Sequence, residues 1–218
     1  MIKKLIFDLD NTLIKWEDEK NWYRVYEKIK KNYQITPEEF QKIRLSVEEY
    51  EKNEDIFNEE KMQKNINNAI GKNLNIEFVQ TILKIFADCL PDEKDSELDK
   101  TLQYLNSKYE LVILTNWFTW PQEERLEKYG IRKYFTKVHG ADKFKLKPNR
   151  QAFEIAIGNN KLNECIMIGD GIVNDIEGAK KIGLDAILLV NNCNDEVEKI
   201  GKQEYRVIKN IGELKHIL

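Results

Sequence analysis

Hydrophobic positions fall into two regimes along the chain. Up to about residue 88 they recur at helical spacing. Trp22, Tyr26, Ile29 and Tyr33 form one stripe, Met62, Ile66, Ala69 and Ile70 a second, and Phe78, Val79, Ile82, Leu83 and Phe86 a third. The punctuation agrees with this period. Thr36-Pro37-Glu38-Glu39 offers a capping hydroxyl, proline at the first helical position and a glutamate three residues after the cap. Gly71 reads as a terminator and Asn75 as the next start. The spacing predicts about four helices over residues 16–88, with no strand. From about residue 96 the pattern becomes short, continuous apolar runs: Leu111-Val112-Ile113-Leu114, Cys165-Ile166-Met167-Ile168 and Ala186-Ile187-Leu188-Leu189-Val190. With Leu5-Ile6-Phe7 they suit strands buried on both faces of a parallel sheet. Two more short strands are expected near 136–139 and 205–208. Helical segments over 96–107, 121–129, 148–158, 174–182 and 210–217 alternate with them.

Alternating strand and helix predicts an α/β fold with a doubly wound, mostly parallel sheet. Because the first strand precedes the helical block, that block reads as an insertion. The expected division is a core of residues 1–15 and 89–218, with residues 16–88 as a helical lid. Glycine and proline support the division: only Gly71 and Pro37 fall between Asn11 and Leu90, out of 10 and 4 in the chain.

Composition narrows the function classes. The chain of 218 residues is 41% hydrophobic and 33% charged, enough apolar residues for a core and too many for a disordered chain. No apolar run approaches a membrane span, and Asp8 arrives too early for a signal peptide. Thirty-five basic against 38 acidic residues leave −3, so nothing calls for nucleic acid or an anionic membrane. Cys89, Cys165 and Cys193 are odd in number and far apart, which fits small apolar residues in a reducing cytoplasm rather than a disulfide or zinc scaffold.

The chemistry lies where the strands end, because open α/β sheets bind ligands beyond their C-terminal strand ends. The first strand exits into Asp8-Leu9-Asp10-Asn11-Thr12, the next into Thr115-Asn116, and the one ending at Ile168 into Gly169-Asp170-Gly171. Lys145-Leu146-Lys147-Pro148 opens a helix between the last two. Converging carboxylates repel unless a cation intervenes. Hard oxygen ligands favour Mg²⁺, while a hydroxyl, backbone N–H groups and a lysine bind phosphate. The constellation points to Mg²⁺-assisted phosphoryl transfer.

The order and spacing resemble the haloacid dehalogenase-like hydrolases, in particular their phosphatases with a helical C1 cap. The D-x-D-x-T motif stands as Asp8-Leu9-Asp10-Asn11-Thr12, and the strand ending in Thr or Ser as Leu111 to Thr115-Asn116. The lysine before proline stands as Lys147-Pro148 with Phe153 following, and G-D-x-x-x-N-D as Gly169-Asp170-Gly171-Ile172-Val173-Asn174-Asp175. The resemblance covers residues 5–183. It implies that Asp8 is the nucleophile, forming an aspartyl-phosphate and binding Mg²⁺. It implies that Asp10 is the general acid and base, its backbone carbonyl a further metal ligand. Thr115 and the Asn116 amide would hold phosphoryl oxygens, and Lys147 would screen Asp8 from the phosphate and stabilise developing charge. Asp170 would bind Mg²⁺ directly, and Asp175 through water or by orienting Lys147. Lys145 competes with Lys147, which the following proline favours by fixing its place at a helix start.

An acid at Asp10 favours a phosphatase or phosphomutase over a 2-haloacid dehalogenase. A phosphoacceptor signalling domain would carry its aspartate on a middle strand and have no lid. The expected substrate is a small phosphorylated metabolite: a nucleotide, a sugar phosphate or phosphoglycolate. The protein is expected to be cytoplasmic, as monomer or homodimer. The sequence departs from its relatives at Lys147-Pro148-Asn149-Arg150, where K-P-D-P is common, and at Trp117-Phe118-Thr119-Trp120, where a small residue is usual. Trp16, Trp22, Tyr23 and Tyr26 read mainly as cap core, Trp117 and Trp120 as either a substrate-facing wall or a surface contact. His139 and His216 read as structural or solvent-exposed.

Overall fold

The computed structural model describes residues 1–190, 197–200 and 203–218; Cys193 lies outside them. Its centre is one sheet of β1 (Lys4–Phe7), β2 (Glu110–Leu114), β3 (Lys137–His139), β4 (Cys165–Gly169), β5 (Asp185–Leu189), β6 (Val197–Ile200) and β7 (Gln203–Ile208). The strands lie in the order β3-β2-β1-β4-β5-β7-β6. All neighbours pair parallel except β6 on β7, an antiparallel edge that the sequence pattern did not predict. Successive residues face opposite sides, as the pleat requires. Leu5, Phe7, Leu111, Ile113, Ile166 and Ile168 enter one buried core. Ile6, Val112, Leu114, Cys165 and Met167 enter the other.

Nine α-helices accompany the sheet among the described residues. Four come in succession after β1: α1 (Asp18–Asn32), α2 (Pro37–Asn53), α3 (Glu59–Ile70) and α4 (Ile76–Ala87). They pack on one another and share a third apolar core built on Trp22, Ile29, Phe40, Ile43, Tyr50, Phe78, Val79 and Phe86. The capping box forms at Thr36, whose side chain accepts from Glu39 N–H while the Glu39 carboxylate accepts from Thr36 N–H. Gly71 ends α3 at φ 68°, in the left-handed region.

The remaining helices belong to the sheet layers: α5 (Leu98–Asn106), α6 (Thr119–Tyr129), α7 (Arg150–Ile157), α8 (Gly178–Lys181) and α9 (Leu214–Ile217). The helix expected at 174–182 is a wide π-type turn over Ile172–Glu177 that runs into α8. Such turns recur at functional sites because they re-aim side chains. Among the described residues, no helix is long and apolar enough to cross a membrane.

Thr36→Ala removes one half of the capping box and should cost about 1 kcal/mol. In a chain of this size that corresponds to a fall of about 2–4 °C in Tm by calorimetry. An unchanged Tm would mean that α2 does not depend on its cap.

Candidate active site

β1 and β4 are neighbours although β2 and β3 intervene in sequence, so the crossover direction reverses between them. Doubly wound sheets open a crevice at such a switch point. Asp8 follows β1 and Asp170 follows β4, one on each side of it. Asp8 N–H donates to Ile168 O at 2.9 Å, extending the ladder by one residue. The chain then turns sharply. Leu13 and Ile14 N–H both donate to Leu9 O, and Asn11 takes φ 60°, a region asparagine tolerates better than most residues. That turn leaves Asp8, Asp10 and Thr12 on the crevice.

Lys147 is the hub. Its ammonium lies 2.6 Å from Asp8 Oδ1 and 2.6 Å from Asp175 Oδ1, with only 3% of the residue exposed. Lys145, two residues away, is on the surface, paired with Asp55 at 2.9 Å. Asp175 Oδ2 accepts from Gly171 N–H at 2.9 Å, so both of its oxygens are engaged. A Cβ on Gly169 would come within 2.3 Å of that carboxylate, which explains the glycine at the end of β4. Thr12 links the two sides. Its hydroxyl accepts from Asp170 N–H at 3.1 Å and lies 3.2 Å from Asp8 Oδ2 and 3.1 Å from Asp170 Oδ1. Asp8, Asp170 and Asp175 each present an oxygen within 4.8 Å of the others, a spacing that one metal ion could bridge. Three carboxylates around one lysine leave a net charge of about −2, which fits a divalent cation.

The loop after β2 carries the hydroxyl. Thr115 N–H donates to His139 O at 2.9 Å, anchoring the loop on β3, where His139 has a structural place against Phe144. The Asn116 carboxamide is committed to the Lys147 backbone, accepting from its N–H at 2.8 Å and donating to its carbonyl at 2.9 Å. Asn116 thus joins the Thr115 loop to the lysine loop, and its backbone N–H is left for an anion. Asp10 points to α6, where Gln122 Nε2 donates to Asp10 Oδ2 at 2.7 Å and Arg125 Nη1 pairs with Asp10 Oδ1. Gln122 also donates to Thr115 Oγ1 at 3.2 Å.

A cavity of about 260 Å³ opens above Asp8, Asp10, Thr115 and Asn116. Trp16, Trp22, Phe86 and Trp117 form its aromatic side, with Phe86 5.3, 5.0 and 5.9 Å from Trp16, Trp22 and Trp117 respectively. Trp120 is turned away and donates from Nε1 to Glu59 at 2.8 Å. Tyr23 is exposed, and Tyr26 packs on Phe40. Arg150 pairs with Glu154 on the surface, away from the site.

A family model described as haloacid dehalogenase-like hydrolase matches residues 2–183. The chain belongs to this family. Glyceraldehyde 3-phosphate phosphatase of Methanothermobacter thermautotrophicus is 36% identical over 126 residues, 54% of this chain and 55% of the relative. Pyrimidine 5'-nucleotidase YjjG of Escherichia coli is 28% identical over 121 residues, 54% and 53% of the two chains. The matched stretch spans about half the length of these curated relatives. Among solved structures, a haloacid dehalogenase-family phosphatase from Thermococcus onnurineus superimposes with a TM-score of 0.69 at 22% identity, over 99% of this chain and 97% of that one. A 2-haloacid dehalogenase from Pseudomonas syringae gives 0.75 at 18% identity, over 100% and 98%. Both share the fold.

Within this hydrolase fold, burial decides the electrostatics. Burial pushes the Asp8 carboxyl up to about 7; Lys147 pulls it down by less, and Asp175 adds to the rise. Asp170 and Asp175 are also raised, burial first in each case. Burial acts against the charge on Lys147, but Asp175 and Asp8 outweigh it and keep the ammonium charged. A bound cation would oppose the effect of burial by favouring the charged carboxylates. Thr12, Gln122 and Arg125 were not among the sequence-derived site residues. The signal for the last two was present: with Leu126 and Tyr129 they lie on the buried face of α6, where a polar residue needs a partner.

A carboxyl raised on folding holds a proton that the unfolded chain has released. In metal-free protein, stability should therefore fall as pH rises from the unfolded value of 3.8 to about 7. Calorimetry across that range should show Tm declining by several degrees, with Mg²⁺ raising Tm more at pH 7 than at pH 5. Asp8→Asn should flatten the decline, and a Tm rising with pH in the metal-free protein would contradict this reading.

Proposed function

We propose that this hydrolase is a Mg²⁺-dependent phosphatase that cleaves small phosphomonoesters through an aspartyl-phosphate on Asp8. The observation that carries the proposal is the pairing of Asp8 with Lys147 on the floor of a cavity that also holds Asp10 and Thr115. Lys147 keeps Asp8 oriented and offsets the repulsion between its carboxylate and an arriving phosphate dianion. Thr115 Oγ1 and the Asn116 N–H would receive phosphoryl oxygens. Asp8, Asp170 and the Asp10 carbonyl would hold Mg²⁺, which when bound neutralises phosphoryl charge and offsets the carboxylate excess. Asp175, with both oxygens engaged, acts by orienting Lys147. Asp10 would give a proton to the departing alcohol and later take one from the hydrolytic water.

Residues 16–88 would act as a cap over a core of residues 1–15 and 89–218. Two of the contacts that would close it lie beside the lysine loop. Phe57 N–H donates to Ala141 O at 2.8 Å, and Leu146 N–H donates to Asp55 O at 3.0 Å, one residue before Lys147. Opening would break those two bonds along with other contacts across the same division, among them Trp120 Nε1 to Glu59 and Lys84 to Glu124, and re-forming them would exclude water during transfer.

The far wall limits the substrate. It carries Asp18, Glu48 and Glu51, and Arg44 pairs with the first two at 2.6 and 3.0 Å. Arg44 balances one of Asp18 and Glu48, while burial and then the neighbouring carboxylates push the Glu51 carboxyl up to about 7, so the wall keeps an anionic balance. It would repel a second negative group and tolerate a neutral alcohol beside the aromatic rings. Phosphoglycolate is therefore disfavoured. The names of the two curated relatives agree, since neither leaving alcohol is a carboxylate.

Phosphate release from a panel of monoesters tests the proposal. Release should require Mg²⁺, stop with EDTA and fall by about 10³-fold or more in Asp8→Asn. No release from any ester, or full activity in Asp8→Asn, would overturn it. Glycerol phosphate and nucleoside monophosphates should exceed phosphoglycolate in kcat/KM by about 10-fold or more, one unfavourable charge contact being worth that much. Equal values would show that the acidic wall does not face the leaving group.

A further inference from the structure

Arg125 is 1% exposed, the largest fully buried side chain among the described residues. A guanidinium in such a place must have its donors used. Nη1 pairs with Asp10 Oδ1, Nε donates to Cys89 O at 3.1 Å, and Nη2 donates to Lys15 O at 3.4 Å. The Trp16 ring centroid lies 5.0 Å from its central carbon. The two carbonyls hold distinctive places. Lys15 lies in the connection from β1 to α1, and Cys89 in the connection from α4 to α5. These are the two passages between the sheet and the four-helix layer. Arg125 itself stands on α6, which begins just after the Thr115-Asn116 loop. One side chain of the core thus binds both passages and the acid of the active site at once.

From this geometry we infer that Arg125 is a positioning residue that places the Asp10 carboxylate in step with closure of the cap. The inference rests on the proposed role of Asp10 as general acid. Each of the two passages must shift relative to α6 when the helical layer swings, so opening would loosen the Cys89 and Lys15 contacts and free the guanidinium. Closure would restore both contacts and fix the fork that holds Asp10 Oδ1, while Gln122 holds Oδ2 one helical turn away. The guanidinium serves its three acceptors from three separate nitrogens in a fixed plane, whereas an ammonium offers its three N–H groups from a single atom. Asp10 would thereby reach its working position only with water excluded.

The test separates positioning of the acid from a general structural role. An alkyl ester needs its leaving oxygen protonated, whereas p-nitrophenolate departs without help. The quantity to compare is kcat/KM for glycerol phosphate and for p-nitrophenyl phosphate, because it reports the steps up to loss of the alcohol and is blind to later hydrolysis of the aspartyl-phosphate. Arg125→Met should lower the alkyl-to-aryl ratio by about 30-fold or more, part of the 10²–10⁴ that acid catalysis contributes. Asp10→Asn should show the same signature, and the double variant should be no worse than the single ones, since the two groups act as one unit. Equal losses on both esters, or multiplying losses in the double variant, would overturn the inference. If Arg125→Met does not fold, Arg125→Lys carries the same comparison. Its ratio should fall by about 10-fold, and an unchanged ratio would count against the inference. A failure of the functional proposal would appear differently, as wild-type protein that cleaves neither ester.

Discussion

Lys147 keeps its ammonium 2.6 Å from both Asp8 and Asp175 in a place that solvent barely reaches, and much of the molecule is arranged around those two contacts. Removing an ammonium and two carboxylates from water is expensive, and their attraction repays it only with good geometry and further hydrogen bonds. The geometry comes from three separate segments: the residue after β1, the loop before α7 and the π-type turn after β4. Gly169 leaves room for Asp175, the Gly171 N–H fixes its second oxygen, and Asn116 holds the backbone on both sides of Lys147. A third carboxylate, Asp170, adds negative charge that nothing among the described residues neutralises fully. That residual charge is the physical ground for proposing a divalent cation here, beside the family likeness.

The sheet order converts this local arrangement into a site. With β1 central and β4 beside it, the nucleophile candidate and the metal-ligand candidates meet at the switch point. With β2 on the other side, the Thr115 loop reaches the same crevice. The four-helix layer then supplies what the strand ends lack: an aromatic wall, an acidic far side and two backbone contacts that close it next to Lys147. On the proposed function, chemistry would be carried by the sheet and the choice of leaving group would fall to the helices.

Much of this was legible in the sequence because it depends on local patterns. The period of Phe78, Ile82 and Phe86 gives α4, Thr36 and Glu39 form the box their spacing implies, and each apolar run from 111 onward is a strand. Asp8 and Asp170 come within bridging distance as their placement after strands suggested, and Asp175, which only the family resemblance singled out, joins them. What escaped depends on partners distant in sequence. Arg125 and Gln122 sit on a helix whose apolar stripe hides them, and their meaning appears only when Asp10 arrives from 112 or more residues away. The Asn116 side chain has a part that spacing does not reveal, holding the backbone of Lys147 on both sides. The π-type turn is not legible in hydrophobic spacing because its six residues, Ile172–Glu177, are too few for a change of period to show. The edge strand β6 lacks the apolar run of a central strand, having only one neighbour to pair with.

On the proposed function, Asp8 is the residue that accepts the phosphoryl group. Rapid acid quench of the enzyme during turnover, followed by borohydride reduction, converts an aspartyl-phosphate into homoserine at the residue that carried it. Peptide mass spectrometry then locates that residue. The account predicts homoserine at position 8 in the wild-type protein with Mg²⁺ and substrate, and none when substrate is withheld. Homoserine at Asp10, Asp170 or Asp175, or none anywhere while phosphate is being released, would contradict it.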